Sequence, residues 1–164
     1  MRDEDPADAQ AIRSVTERAF RDMPYAGGDE QDIVDRLRSV DALTVSLVAV
    51  VDDELVGHVA FSPAKSADAT GPWFTLGPVS VLPGHQRRGI GSALIRAGLA
   101  RIEAAGAAGC ILTGNPDYYR RFGFELSPAN APQQDYAEFF MIRSFTLARP
   151  KGALRFHRAF YGDL

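Results

Sequence analysis

The chain has 164 residues, 46% hydrophobic and 24% charged, a length suited to one core and a composition that excludes an intrinsically disordered chain. Its formal net charge of -3 at pH 7 lacks the surplus of Lys and Arg that a nucleic-acid backbone demands, and its single cysteine, Cys110, excludes an intrachain disulfide. Residues 1–10 are acidic, the reverse of a secretory signal, and the longest apolar run, 43–51, is too short to cross a bilayer, so a cytoplasmic domain without membrane or nucleic-acid partners is expected.

Asp5-Pro6 forms an N-cap and first-turn pair, and Ile12, Val15 and Ala19 recur at helical spacing, so the first predicted helix spans 6–22. Gly27-Gly28 breaks the chain, after which Asp29 is placed to cap a second helix with Ile33, Val34 and Leu37 on one face. Two helices therefore precede any predicted strand. Residues 43–51 and 55–61, rich in β-branched side chains on either side of Asp52-Asp53, read as a hairpin. The polar stretch 62–72 reads as a loop. A third strand, 73–82, contains Gly77-Pro78; because proline has no N–H for a central ladder, a bulge or local strand separation is expected there.

Leu94, Ile95, Gly98, Leu99 and Ile102 form the apolar stripe of a helix over 88–105, ended by Gly106 and Gly109. A short buried strand at 110–113, a short helix at 116–122 closed by Gly123, a strand at 139–147 and a last strand within 154–160 complete the order. The pattern is an α+β (mixed α/β) domain with one βαβ step near its middle, where a site belongs.

At that step Val79, Ser80 and Val81 lead through a tight loop into the N-terminus of the helix, a stretch that carries Gln86, Arg87, Arg88, Gly89, Ile90, Gly91 and Ser92. A helix N-terminus offers unpaired N–H groups and the positive end of the macrodipole to an anion. Gly89 and Gly91 let a diphosphate approach the backbone, while Arg87 and Arg88 add cationic donors and Ser92 a hydroxyl. Gly84 and Gly89 have Walker spacing, but Ile90 stands where that pattern needs lysine. The dinucleotide fingerprint fails at Leu94, and the strand 110–113 has no acid for a ribose.

Gln86-Arg87-Arg88-Gly89-Ile90-Gly91 resembles the Gln/Arg-x-x-Gly-x-Gly/Ala motif of the GNAT N-acetyltransferase superfamily. Tyr119-Arg120-Arg121-Phe122-Gly123-Phe124 is similar to the family's Tyr-x-x-x-Gly-Phe segment, and 115–119 to a variant in a bacterial subgroup of predicted acetyltransferases. The resemblance implies a single domain over 1–164 with the GNAT fold, a central, mostly antiparallel twisted sheet of about six to seven strands flanked by helices, whose splayed βαβ step binds acetyl-CoA. It implies that the backbone of Val79 and Val81 holds the pantetheine arm and that the amides of 87–92 hold the pyrophosphate. Asn115 stands in for a longer Asn-containing segment, and the first strand of the family is very short or missing.

The implied reaction is attack of a neutral amine on the thioester, with the oxyanion met by the Val81 amide and Tyr119 protonating the leaving thiolate; Tyr118 is its nearest competitor. Glu30, His58 and Glu54 are candidate bases, none carried by a motif. Cys110, in a buried strand, reads as an apolar residue and not as a nucleophile, and His58, His85 and His157 lack metal-ligand spacing, so no metal is expected. The expected partners are acetyl-CoA and an amine acceptor, with a homodimer as the assembly allowed. The acceptor pocket is expected from 23–32, the loop near 62–72 and the last strands. A non-catalytic acyl-CoA-binding or regulatory domain is the alternative function.

Overall fold

Alternating strands and amphipathic helices resolve into an open sheet with helices on both faces in the computed structural model, which describes residues 1–67, 71–132 and 136–162. Strand β1 (Arg2–Asp3) and a 3-10 turn (Pro6–Asp8) lead into α1 (Ala9–Phe20) and α2 (Glu30–Ser39). The long strands β2 (Val45–Val51), β3 (Glu54–Ser66) and β4 (Trp73–Val81) follow, then α3 (Ile90–Ala104) and β5 (Gly109–Thr113). The chain ends in α4 (Pro116–Tyr119), β6 (Glu125–Leu126), β7 (Phe140–Ser144) and β8 (Leu154–Arg155). The strand order is β1-β2-β3-β4-β5-β7-β6, with β8 paired to β3, and β4–β5 is the one parallel pair among the described residues.

Each face of the sheet has its own chemistry. Phe61, Val59 and Leu76 bury against Leu94, Ile95 and Leu99 of α3, and Gly98 is what lets Phe61 lie there: a Cβ on Gly98 would come within 2.0 Å of the ring. On the opposite face, Ser80 and Thr16 of α1 share a 3.4 Å hydrogen bond, and Arg13 ties α1 to Asp32 and Asp35 of α2. Within this face Arg38 pairs with Glu4, the Ser46 hydroxyl donates to Glu4, and Ser46 Oγ lies 2.8 Å from His58 Nε2. Since the single Ser46 proton is given to Glu4, Nε2–H of His58 is the donor to Ser46 and Nδ1 is left bare.

The hairpin turn at Asp52 and Asp53 has φ of 50° and 64°, the left-handed pair of a two-residue connection. Around Gly77-Pro78 the expected bulge is present: Val59 pairs with Val79 and Phe61 with Leu76, so two residues of β4 oppose Ala60 alone.

Several expectations change. β1 precedes the helices, pairing Arg2 with Val48 and Asp3 with Leu47; two residues carry no period to read. The supposed loop 62–72 is strand as far as Ser66, because Ser62, Pro63 and Ala64 pair with β4 and Lys65 and Ser66 with β8. Pro63 is tolerated because β2 ends opposite Phe61, which frees that side of β3 from ladder bonds. Residues 68–70 of the same stretch lie outside the described residues. Asp29 sits at the N-cap of α2 without a capping bond and pairs instead with Arg36 at 3.3 Å. The third helix starts at Ile90, since Gly89 is left-handed at φ 81°. The strand 139–147 stops at Ser144, and the tail 154–160 is two strand residues followed by a 3-10 turn (Arg158–Tyr161), capped by the His157 ring. Among the described residues no helix is long and apolar enough to cross a membrane.

Candidate active site

A cleft opens where β4 and β5 part. The two strands pair at Trp73 with Gly109, Phe74 with Cys110 and Thr75 with Ile111, and no further along β4. The bulge at Gly77-Pro78 turns β4 just where this pairing ends. The hydrogen-bond phase then decides which groups face the gap. Leu82 N donates to Val56 O at 2.8 Å, which makes Leu82–Val56 and Ser80–His58 the hydrogen-bonded positions of β3–β4. Val79 and Val81, at the alternate positions, turn their N–H and C=O groups toward the vacated β5 side. Gln86 Nε2 donates to Val81 O at 3.0 Å, which leaves the Val81 N–H and both polar groups of Val79 facing the cleft.

Beyond Val81 the chain reaches α3 through Arg87 (φ 63°) and Gly89 (φ 81°). The first intrahelical bond of α3 runs from Ala93 N to Gly89 O at 3.0 Å, so the amides of 90–92 find no backbone acceptor and point off the helix end. A Cβ at Gly91 would sit 3.5 Å from the Tyr118 hydroxyl and 3.6 Å from Val81 Cγ2. Any larger side chain at Gly91 would therefore occupy the recess between helix, strand and tyrosine. Arg121 lies over the Tyr118 ring at 4.7 Å, bringing a second cation to this wall.

The cleft measures 1360 Å³. Val79, Val81, Gln86, Arg87, Gly89, Gly91, Ser92, Asn115 and Tyr119, all expected at the site, line it. Three other expected residues are placed elsewhere. Ser80 has its backbone in the β3 ladder and its hydroxyl on Thr16, both turned away from the cleft. Ile90 packs its side chain on the core beside Gly57, so its backbone amide alone faces the loop, and the Arg88 side chain is exposed outside the lining. Asn115 caps α4 by accepting from Asp117 N at 3.0 Å, which commits its oxygen and frees its amide group.

Tyr119 lies edge-on to Tyr118 and Phe124, with its ring against Gly114. Burial, reinforced by Tyr118, pushes its phenol well above the ordinary value, so it holds its proton at neutral pH. Of the three candidate bases, Glu30 lines the cleft; it is 8% exposed, accepts from Gly28 N at 3.1 Å and has no ion pair among the described residues. His58 is buried in the polar chain behind β4, pushed down to about 4 chiefly by burial, and Glu54 is exposed at the hairpin. Cys110 is fully buried and burial pushes its thiol up, which suits a core residue. No group of three or more metal-ligating side chains stands together among the described residues.

Sequence reasoning missed Thr75, 2% exposed, and His85; the Thr75 hydroxyl and the buried His85 Nδ1 have no hydrogen-bond partner among the described residues, and both residues line the cleft. It also missed the aromatic wall of Phe140, Phe156, Phe160 and Tyr161, because these residues converge from separate segments that carry no motif. Of the expected acceptor pocket, Met23, Gly27, Asp29 and Glu30 line the cleft, and the described part of 62–72 does not.

The family model described as "Acetyltransferase (GNAT) domain" matches residues 1–127. The chain is 33% identical over 128 residues to the Escherichia coli (strain K12) protein named "Uncharacterized N-acetyltransferase YhbS", covering 77% of this chain and 74% of that one. A GNAT family acetyltransferase from Brucella melitensis, solved in complex with acetyl-CoA, superimposes with a TM-score of 0.85 at 47% identity, over 97% of this chain and 96% of that one. The E. coli YhbS structure, solved in complex with CoA, gives a TM-score of 0.86 at 28% identity, over 98% and 90% of the two chains.

Proposed function

Because the chain belongs to the GNAT acetyltransferase family, we propose that it moves the acetyl group of acetyl-CoA onto a primary amine by direct attack through a tetrahedral intermediate. The observation that carries this reading is the row of unpaired backbone groups at Val79 and Val81, which continues into the amides at the start of α3. An extended amide-containing arm pairs with the former as a strand would, and a diphosphate takes the latter. The Brucella melitensis and E. coli proteins, solved with acetyl-CoA and CoA, support this class of ligand. Arg87, Ser92 and Arg121 stand beside the diphosphate position, and Gly91 keeps it open.

The Val81 N–H faces the place where the thioester oxygen gains charge, and a fixed amide there stabilises the oxyanion. Tyr119, protonated at neutral pH, gives its proton to sulfur as the C–S bond breaks, and the second proton that the amine nitrogen sheds as the amide forms returns the tyrosinate to the phenol. Glu30 stands at the acceptor end and takes the proton that the attacking ammonium must lose before it can act as a nucleophile.

Calorimetric titration with acetyl-CoA, followed by free-thiol release with a panel of primary amines, tests the proposal. Saturable binding with amine-dependent thiol release supports it. Binding without release on any amine points to a non-catalytic acyl-CoA-binding domain, and absence of binding overturns the site itself.

A further inference from the structure

The acceptor end of the cleft continues into a second recess of 270 Å³, lined by Lys65, Pro132, Arg155, Phe156, Arg158 and Tyr161; Pro132, Phe156 and Tyr161 are walls of both. Lys65 and Arg155 stand directly opposite each other on β3 and β8. Like charges in that position repel across an antiparallel pair, yet neither residue has an ion-pair partner among the described residues, and Arg158 adds a third unpaired cation. The His157 imidazole, lowered by burial and by Arg158 and Lys65, feels the same field. Three cations around one small recess, with no carboxylate paired to them among the described residues, suit an anion from outside.

The recess is too small for a whole ligand and suits one charged group. On the α2 side of the same end, Glu30 is a buried carboxylate with no ion pair among the described residues, α2 packs through Ile33 and Leu37 on Ala159 and Phe160, and Phe140 and Phe156 also line the cleft. A negative group and an apolar wall in the cleft thus stand beside a positive recess that shares Phe156 and Tyr161 with it. Resting on the acetyl-transfer reading above, we propose that the acceptor is a primary amine joined through an apolar, aromatic-compatible body to a carboxylate or phosphate, and that Lys65, Arg155 and Arg158 hold that anion. The ammonium end then meets Glu30 and the anionic end fixes the direction in which the amine enters.

Three probes that share one skeleton test this: phenethylamine, 4-(2-aminoethyl)benzoate and tyramine O-phosphate. With acetyl-CoA at saturation and low ionic strength, thiol release by the wild-type protein should show kcat/KM at least roughly tenfold higher for one of the anionic amines than for phenethylamine, the scale of one hydrogen bond to a charged group. The two anionic probes separate carboxylate from phosphate. Arg155→Glu replaces a repulsive cross-strand pair with an attractive one, so the variant should keep or raise its Tm while the anionic-to-neutral ratio falls roughly tenfold or more. Equal use of the three amines by the wild type, or a preference that survives both Arg155→Glu and Lys65→Glu, overturns the proposal. If none of the amines releases thiol, calorimetry on the CoA-saturated protein decides by the same comparison: tighter binding of an anionic probe, lost in Arg155→Glu, supports it, and equal binding overturns it. Failure of the wild type to bind acetyl-CoA would sink the acetyl-transfer reading, whereas binding without discrimination among the probes sinks this inference alone.

Discussion

Tyr119 combines two properties that a proton donor to a thiolate needs: it lines the cleft, and burial keeps its phenol protonated through the neutral range. Removing the hydroxyl leaves the aromatic packing against Tyr118 and Phe124 intact, so Tyr119→Phe should lower kcat by about 10²-fold or more, the span of general acid catalysis, with little change in acetyl-CoA affinity. Stopped-flow or steady-state thiol release beside calorimetry measures both, and an unchanged kcat would remove Tyr119 from the chemistry. Tyr118, whose hydroxyl lies by Gly91, then becomes the donor to examine. Tyr119 and the glycines were legible in the sequence because each sits inside a short motif. Thr75, Phe156 and Phe160 were not, because what unites them is a shared wall that only the folded chain assembles.

The elements that make the cleft work through geometry at two glycines of α3. Gly91 opens the helix start to a ligand, and Gly91→Asp would put a carboxylate and its bulk into the recess beside Val81 and Tyr118, opposing a diphosphate in both charge and space. Acetyl-CoA binding should fall below detection by calorimetry while the far-ultraviolet circular dichroism stays native; retained binding would place the diphosphate elsewhere. Gly98 serves the core, and Gly98→Ala drives a methyl into Phe61, an overpacking expected to cost about 1–3 kcal/mol in urea unfolding. A neutral result would mean that β3 and α3 separate more freely than their close contact implies. The apolar stripe of α3 and the bulge at Gly77-Pro78 were readable from periodicity and proline chemistry. The reach of β3 to Ser66 was hidden, since its last residues are polar and are made strand by β4 and β8, partners far along the chain.

For the whole molecule, acid stability follows from the chain Arg38–Glu4–Ser46–His58, which fastens α2, the segment after β1, and the paired strands β2 and β3. His58 is held neutral in the native state, near 4 against 6.5 for an ordinary imidazole, chiefly because burial leaves Nδ1 no acceptor for a second proton. Above about pH 6.5 the imidazole is neutral whether the chain is folded or not, so its contribution is complete there. As pH falls from 6.5 toward 4, the unfolded chain binds a proton that the native one refuses, and about 3 kcal/mol of stability is lost across that window. Burial works to raise the Glu4 carboxyl, but its bonds from Arg38 and Ser46 outweigh this and hold it below the ordinary range, so its own contribution is present above about 4.5 and fades below. The two groups therefore separate on the pH axis, with His58 governing the upper part of the acid limb. Urea midpoints at pH 7.5, 6.0 and 5.0 should fall steadily for the wild type, and His58→Gln, which retains an N–H for Ser46 without a titrating ring, should flatten that fall even if it starts from a lower midpoint. Parallel profiles for the two proteins would assign the acid sensitivity to carboxylates such as Glu4 and take His58 out of the account.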